Sequence, residues 1–189
     1  MRIKHLKLIY ATMKQAGVPN VDTLIGEGSN YVLLSPVGDC LSKDKKKDPE
    51  NETELLQALE SVLEALVVLH SIGWMHRDIR WPNVLKQVNS SKWFLIDFDD
   101  SSKSPRENCP HEHLSRLEHP AEVFEITGLH TTSVDIWGVG YLILSCKCSL
   151  SETLVDLGER LVDSVPNERP TAVELLETIR NYKRGVSST

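Results

Sequence analysis

The sequence predicts an α+β domain that is mostly α-helical. Residues 52–71 carry an apolar stripe broad enough for a core-facing helix, and residues 131–146 form a more uniformly apolar run of helical length. The β signals are confined to short apolar pairs joined by Gly, Asn and Ser. At 189 residues the chain fits one domain with a sizeable core.

Taken in order, residues 1–17 place Ile3, Leu6, Ile9, Tyr10 and Met13 at helical spacing, with Gly17 as the stop. Residues 21–25 and 31–34 read as a β-hairpin around Gly26-Glu27-Gly28-Ser29-Asn30. The Lys- and Asp-rich stretch 42–51 is a solvated loop. Helix 52–71 buries Leu55, Leu56, Leu59, Val62, Leu63, Leu66, Val67 and Leu69, and Gly73 ends it. Residues 84–85 and 93–96 are short strands around Asn89-Ser90-Ser91, and residues 103–119 are a long loop. Helix 131–146 is of the kind buried on most sides, residues 151–165 and 171–183 are amphipathic helices, and the final residues fray.

A formal net charge of -6 and a pI of about 5.6 argue against nucleic acid or an anionic membrane as main partner. The longest apolar runs, 65–69 and 136–144, fall short of the ~20 residues of a membrane helix. The charge-interrupted N-terminus does not resemble a signal peptide, so a cytoplasmic or nucleocytoplasmic location is the default. Cys40, Cys109, Cys146 and Cys148 read as free thiols. The metal-ligating alternative is Cys109-Pro-His111-Glu-His113 with His119 nearby, a spacing that fits no common zinc module.

The chemistry is concentrated in His76-Arg77-Asp78-Ile79-Arg80-Trp81-Pro82-Asn83 and, about a dozen residues on, Leu95-Ile96-Asp97-Phe98-Asp99. This pair resembles the protein-kinase catalytic loop, H-R-D-x-x-x-x-N, followed by a variant of the D-F-G metal motif. The resemblance implies a phosphotransferase using ATP and Mg²⁺. Asp78 would accept the substrate hydroxyl's hydrogen bond, Asn83 and Asp97 would hold Mg²⁺, and Arg80 would neutralise the transferring phosphoryl. A chance match would leave a surface Arg–Asp pair and a buried aspartate at a strand end. Three downstream elements weigh against chance. His119-Pro120-Ala121-Glu122 resembles the A-P-E element with its middle letters exchanged. Val134-Asp135-Ile136-Trp137-Gly138-Val139-Gly140 resembles the start of the family's large buried helix. Asn167-Glu168-Arg169-Pro170-Thr171 resembles the element whose arginine pairs with the A-P-E glutamate. A Glu122–Arg169 ion pair follows, as does a cap from Asp135 on the turn of His76 and Arg77.

Ser35-Pro36-Val37-Gly38 resembles the hinge. Leu34 would then be the gatekeeper, Ser35, Pro36 and Val37 would face the adenine edge, and Leu85 would lie on the adenine floor; plain core packing is an equal reading of Leu34 and Leu85. The implied architecture is a protein-kinase-like C-lobe with a remnant of the N-lobe (an αC-like helix plus one β-hairpin). Residues 1–35 are that remnant, 36–39 the hinge, 40–185 the C-lobe and 186–189 a tail.

The chain also departs from the family. Gly26-Glu27-Gly28 is not the glycine-rich phosphate loop, because only about fifty residues separate Gly28 from His76 and helix 52–71 takes twenty of them. The lysine strand is missing, residues 1–17 contain no acid, and Lys4, Lys7 or Lys14 are the candidate substitutes, with solvent exposure the expected fate of each. Asp99 stands at the D-F-G glycine. The connection from Trp137 to Arg169 is short, which removes a common docking surface for protein substrates. Ser101, Ser102, Ser104 and Ser115 are candidate phosphorylation sites that Arg77 could receive. The hinge, the D-F-D variant and the short connection resemble kinase-like proteins of filamentous fungi and oomycetes. The function implied is ATP γ-phosphoryl transfer to a protein Ser/Thr hydroxyl. The rivals are an inactive scaffold that binds a protein partner, or a truncated remnant.

Overall fold

The N-terminal periodicity becomes helix α1 (Arg2–Ala16) in a computed structural model that describes residues 2–38, 48–107, 113–125 and 129–186. Gly17, at φ +68°, lets the Val18 N–H turn back onto the Met13 carbonyl at 3.0 Å, which closes the helix. The hairpin follows as antiparallel β1 (Thr23–Glu27) and β2 (Val32–Ser35). A bulge between Leu24 and Gly26 absorbs one residue. The strand therefore runs past Gly26, and the turn tightens at Gly28, whose N–H donates to the Tyr31 carbonyl at 2.9 Å.

Helix α2 (Glu52–Ser71) starts where the Asn51 side chain accepts the Glu54 N–H at 3.0 Å, and Glu52 and Glu54 complement its positive end. Its apolar stripe is buried from Leu55 to Leu69 apart from Val67, which is half-buried. Gly73, at φ +72°, breaks it and starts β3 (Trp74–Met75). Strands β4 (Val84–Lys86) and β5 (Trp93–Leu95) pair antiparallel, and β6 (Ser102–Lys103) returns to β3 inside the stretch read from sequence as loop. The hairpin region is sutured to β5: Leu95 N–H donates to Asn20 O at 2.9 Å and Asp22 N–H to Leu95 O at 3.2 Å.

Helices α3 (Ser133–Ser145), α4 (Glu152–Asp163) and α5 (Ala172–Val186) complete the order. Gly140 brings α3 against α4, since a Cβ there would meet Leu161 Cβ at 2.7 Å. Helix α5 runs along α2, with Arg180 paired to Glu60 and Glu64 and Lys183 to Glu60. One apolar cluster joins Ile9 of α1, through α2 and α3, to Ile179 of α5. Among the described residues, no helix is long and apolar enough to cross a membrane. Cys146 and Cys148 are free thiols with sulfurs 3.0 Å apart. Cys40, Cys109, His111, residue 39 of the expected hinge, most of the 42–51 loop and residues 187–189 lie outside the described residues.

Candidate active site

The catalytic-loop motif is held from behind by α3. Asp135, fully buried, accepts the backbone N–H of His76 at 2.8 Å and of Arg77 at 2.7 Å, and takes a hydrogen bond from His70 Nε2 at 2.8 Å. Burial pushes its carboxyl up, but the hydrogen bond and charge of His70 and the Arg77 N–H outweigh this and hold it below the usual range. The cap supports Arg77 at φ +74°, a backbone state costly for a non-glycine residue. His76 donates from Nε2 to the Ile96 carbonyl at 3.0 Å, while its Nδ1 accepts the Asp78 N–H at 3.2 Å. Those contacts fix a neutral tautomer. From below, Gly138 of α3 lets Ile79 sit close, and Trp81 Nε1 donates to the Leu142 carbonyl at 3.1 Å.

Asp78, Arg80 and Asn83 meet directly. Asp78 Oδ1 accepts Arg80 Nε at 2.8 Å and His119 Nε2 at 2.8 Å, and Oδ2 accepts Asn83 Nδ2 at 2.7 Å. Burial raises the Asp78 carboxyl, yet the bonds from His119 and Arg80 prevail and lower it to about 2. Asn83 Nδ2 also donates to the Asp78 carbonyl at 2.8 Å, so the amide oxygen is the atom left for a ligand. Asp97 is exposed, at φ +66°, directly after Ile96, whose N–H donates to the Asn83 carbonyl at 2.9 Å. Asp78, Arg80, Asp97, Asp99, His113 and His119 line a cavity of about 670 Å³. The Asn83 amide oxygen and the Asp97 carboxylate are hard oxygen donors on adjacent backbone segments, a set that fits Mg²⁺. Phe98 is buried between Tyr10 of α1 at 5.7 Å and the His76 ring at 4.7 Å, both edge-on.

The remaining sequence candidates lie as follows. Glu122 and Arg169 form an ion pair, with Arg169 also donating to the Ser133 and Ser164 carbonyls at 3.2 Å each. Leu34 packs against the apolar core. Ser35 accepts the Thr23 hydroxyl at its carbonyl, Pro36 follows it, and Val37 is 69% exposed. Gly38 lies on Leu85 and bridges to Gln87, so the hinge segment crosses β4. Arg77 is not presented to a phosphate: its side chain is buried, with Nη2 on His130 Nδ1 at 2.6 Å and Nη1 directed at the Asp100 carbonyl. Ser101 and Ser102 are buried too, whereas Ser115 is exposed. Of the residues of the zinc alternative, Cys109 and His111 lie outside the described residues, while His113 sits on Asp100 and His119 on Asp78. Lys4 and Lys14 are exposed, and Lys7 pairs with Glu27 at 3.1 Å.

Sequence reasoning missed the contact of His119 with Asp78, the Arg77–His130 contact and the Tyr10–Asp22 hydrogen bond of 2.9 Å. All join residues distant in sequence, and no spacing rule announces them.

Comparison with known proteins agrees with this geometry. The family model described as protein kinase domain matches residues 25–149. Crinkler effector protein 8 of Phytophthora infestans is 40% identical over 185 residues, which are 96% of this chain and 30% of that protein. Mitosis inducer protein kinase cdr1 of Schizosaccharomyces pombe is 25% identical over 174 residues, 77% of this chain and 29% of that protein. Probable serine/threonine-protein kinase fnkB of Dictyostelium discoideum is 35% identical over 103 residues, 52% of this chain and 19% of that protein. The chain thus spans less than a third of the length of each of these relatives.

Proposed function

The chain belongs to the protein kinase family, and on that footing we propose that it transfers the γ-phosphoryl group of ATP to a serine or threonine hydroxyl of a protein. The observation that supports this best is Asp78, bonded to Arg80 and Asn83 and facing the same cavity as Asp97. Asp78 points the hydroxyl at the γ-phosphorus. The new bond joins hydroxyl oxygen to phosphorus, and the bond from phosphorus to the β-bridging oxygen breaks with its electron pair leaving on ADP. The hydroxyl proton passes to Asp78 and then to solvent. A carboxylate held at about 2 is a weak base, so Asp78 orients the nucleophile and receives the proton late. Arg80 offsets the charge spread over the moving phosphoryl oxygens. Asn83 and Asp97 would hold Mg²⁺, which neutralises phosphate charge when bound. The free thiols Cys146 and Cys148 support action in a reducing compartment such as the cytoplasm or nucleus.

A non-catalytic scaffold is the second reading, favoured by Ile25 at 67% and Leu33 at 52% exposure on the hairpin. A thermal-shift titration with Mg²⁺-ATP separates the two. Ligand at a hundred times its Kd stabilises by about 2.7 kcal/mol, and the shift should vanish without metal and in Asp97→Asn. No shift at millimolar ATP favours the scaffold.

A further inference from the structure

One contact on the Asp78 carboxylate comes from outside the catalytic loop. His119 is 5% exposed, and its Nε2 lies 2.8 Å from Asp78 Oδ1. Its Nδ1 lies 2.9 Å from the Ser115 carbonyl, which also accepts the Glu118 N–H at 3.1 Å. The Phe124 ring stands edge-on at 6.5 Å. One face of the turn 115–119 is therefore tied to the catalytic carboxylate through a single imidazole.

The chemistry of those contacts fixes what the ring does. A backbone carbonyl can only accept, and so can an ionised carboxylate. A neutral imidazole has one N–H, so one of the two contacts would set lone pair against lone pair. The ring therefore donates from both nitrogens. Asp78 Oδ1 then receives Arg80 and His119, and Oδ2 receives Asn83. Of the about four acceptor sites on a carboxylate, these donors fill three, which leaves one on Oδ2 for the substrate hydroxyl.

We infer that His119 is a positioning residue for phosphoryl transfer, a two-way donor that ties the Ser115 turn to Asp78 and sets the direction of its carboxylate. The inference rests on the phosphotransfer reading above. His119 acts through Asp78 and not on the phosphoryl group. It makes the order of the 113–122 segment a condition for a correctly aimed carboxylate. Arg80 spans the same corner from the other side, its Nη1 3.5 Å from Glu118. Asp78 is thus bracketed by Arg80 and Asn83 of the catalytic loop and by His119 of the segment beyond it.

The test is steady-state phosphotransfer to a generic serine-containing protein by wild type, His119→Ala, His119→Gln and His119→Gly. In His119→Ala, kcat should fall about 10²-fold, the low end of what a positioned acid–base group contributes. KM for Mg²⁺-ATP should move less than about 2-fold, because the lost contact is not to the nucleotide. His119→Gln, which keeps one N–H donor, should lose less than Ala. Added imidazole should raise the His119→Gly rate by about 10-fold, since the missing donor is then supplied in trans. Ring ¹⁵N spectra of wild type should show protons on both nitrogens of one buried histidine, with the Nε2 signal moving in Asp78→Asn. A kcat within about 2-fold of wild type in His119→Ala overturns the inference alone. Equal loss in all three variants without imidazole rescue marks a merely structural role and overturns it as well. A wild-type chain that binds Mg²⁺-ATP and transfers nothing overturns the phosphotransfer reading itself, a different result from either.

Discussion

Removing Glu122 should unfold this chain at a markedly lower temperature. Arg169, its partner, is 4% exposed, and Glu122 is 12% exposed. With Glu122→Ala the guanidinium keeps its carbonyl partners at Ser133 and Ser164 but loses the anion that compensates its burial. Stranding one member of a buried pair costs about 3–5 kcal/mol. For a chain of this size about 2–4 °C accompany each kcal/mol, so the midpoint should drop by roughly 10 °C. Differential scanning calorimetry of wild type and Glu122→Ala measures it. The double variant Glu122→Ala/Arg169→Met should recover part of that loss, because it removes the stranded charge as well as the pair. The reasoning fails if Glu122→Ala melts within a degree of wild type, or if the double variant loses the sum of the singles. The first outcome would mean that the guanidinium is not desolvated, and the second that the two side chains are not coupled.

Two other perturbations follow from buried neighbours of the site. A Cβ at Gly138 would meet Ile79 Cβ at 2.6 Å and the Ile79 carbonyl oxygen at 2.9 Å, so Gly138→Ala must push the loop between Asp78 and Arg80. It should cost about 1–3 kcal/mol and lower kcat, and an unchanged melting curve with unchanged turnover would refute the close approach. Asp22 is 4% exposed; burial pushes its carboxyl up to about 7, the charge of Asp97 adds to this, and the hydrogen bond from Tyr10 opposes it. A folded-state value above the unfolded one means a stability contribution fully present below pH ~4 and lost as pH rises through 7. Asp22→Asn keeps an acceptor for the Tyr10 hydroxyl and cannot ionise. Its midpoint advantage over wild type should grow from pH ~4 to 7 and level off above, and a difference independent of pH would sink the argument.

What could be read from sequence was what the chemistry or the core places close together along the chain. Asp78 and Asn83 touch across five residues, so H-R-D-x-x-x-x-N records a real contact as a spacing. Helix α2 was legible because burial on one face imposes a period on its twenty residues, and α3 because burial on most sides makes a continuous apolar run of helical length. The pair β3–β6 was not, since two-residue strands carry no alternation to detect. The hairpin turn was displaced because a bulge is a backbone event without a side-chain signature. Arg77 illustrates the limit of a motif: the letter is in place, but the side chain points inward to His130, a residue 53 positions away.

The same distinction explains how the site is held. The local motif supplies Asp78, Arg80 and Asn83, but the loop that carries them is held by residues from elsewhere. Asp135 of α3 holds the backbone at His76 and Arg77, Phe98 wedges His76 against Tyr10 of α1, and His119 reaches the carboxylate itself. Arg169 in turn binds Glu122 and the Ser133 carbonyl that opens α3, so it ties the segment bearing His119 to the helix bearing Asp135. The two long-range contacts differ in what they leave behind. Without His119, Asp78 still has Arg80 and Asn83, so the charge stays compensated and its direction is what is lost. Without Glu122, Arg169 has only carbonyls, and the loss falls on stability. Aim and stability are therefore carried by neighbouring residues of one segment through separate partners, and a perturbation of either can be told from the other.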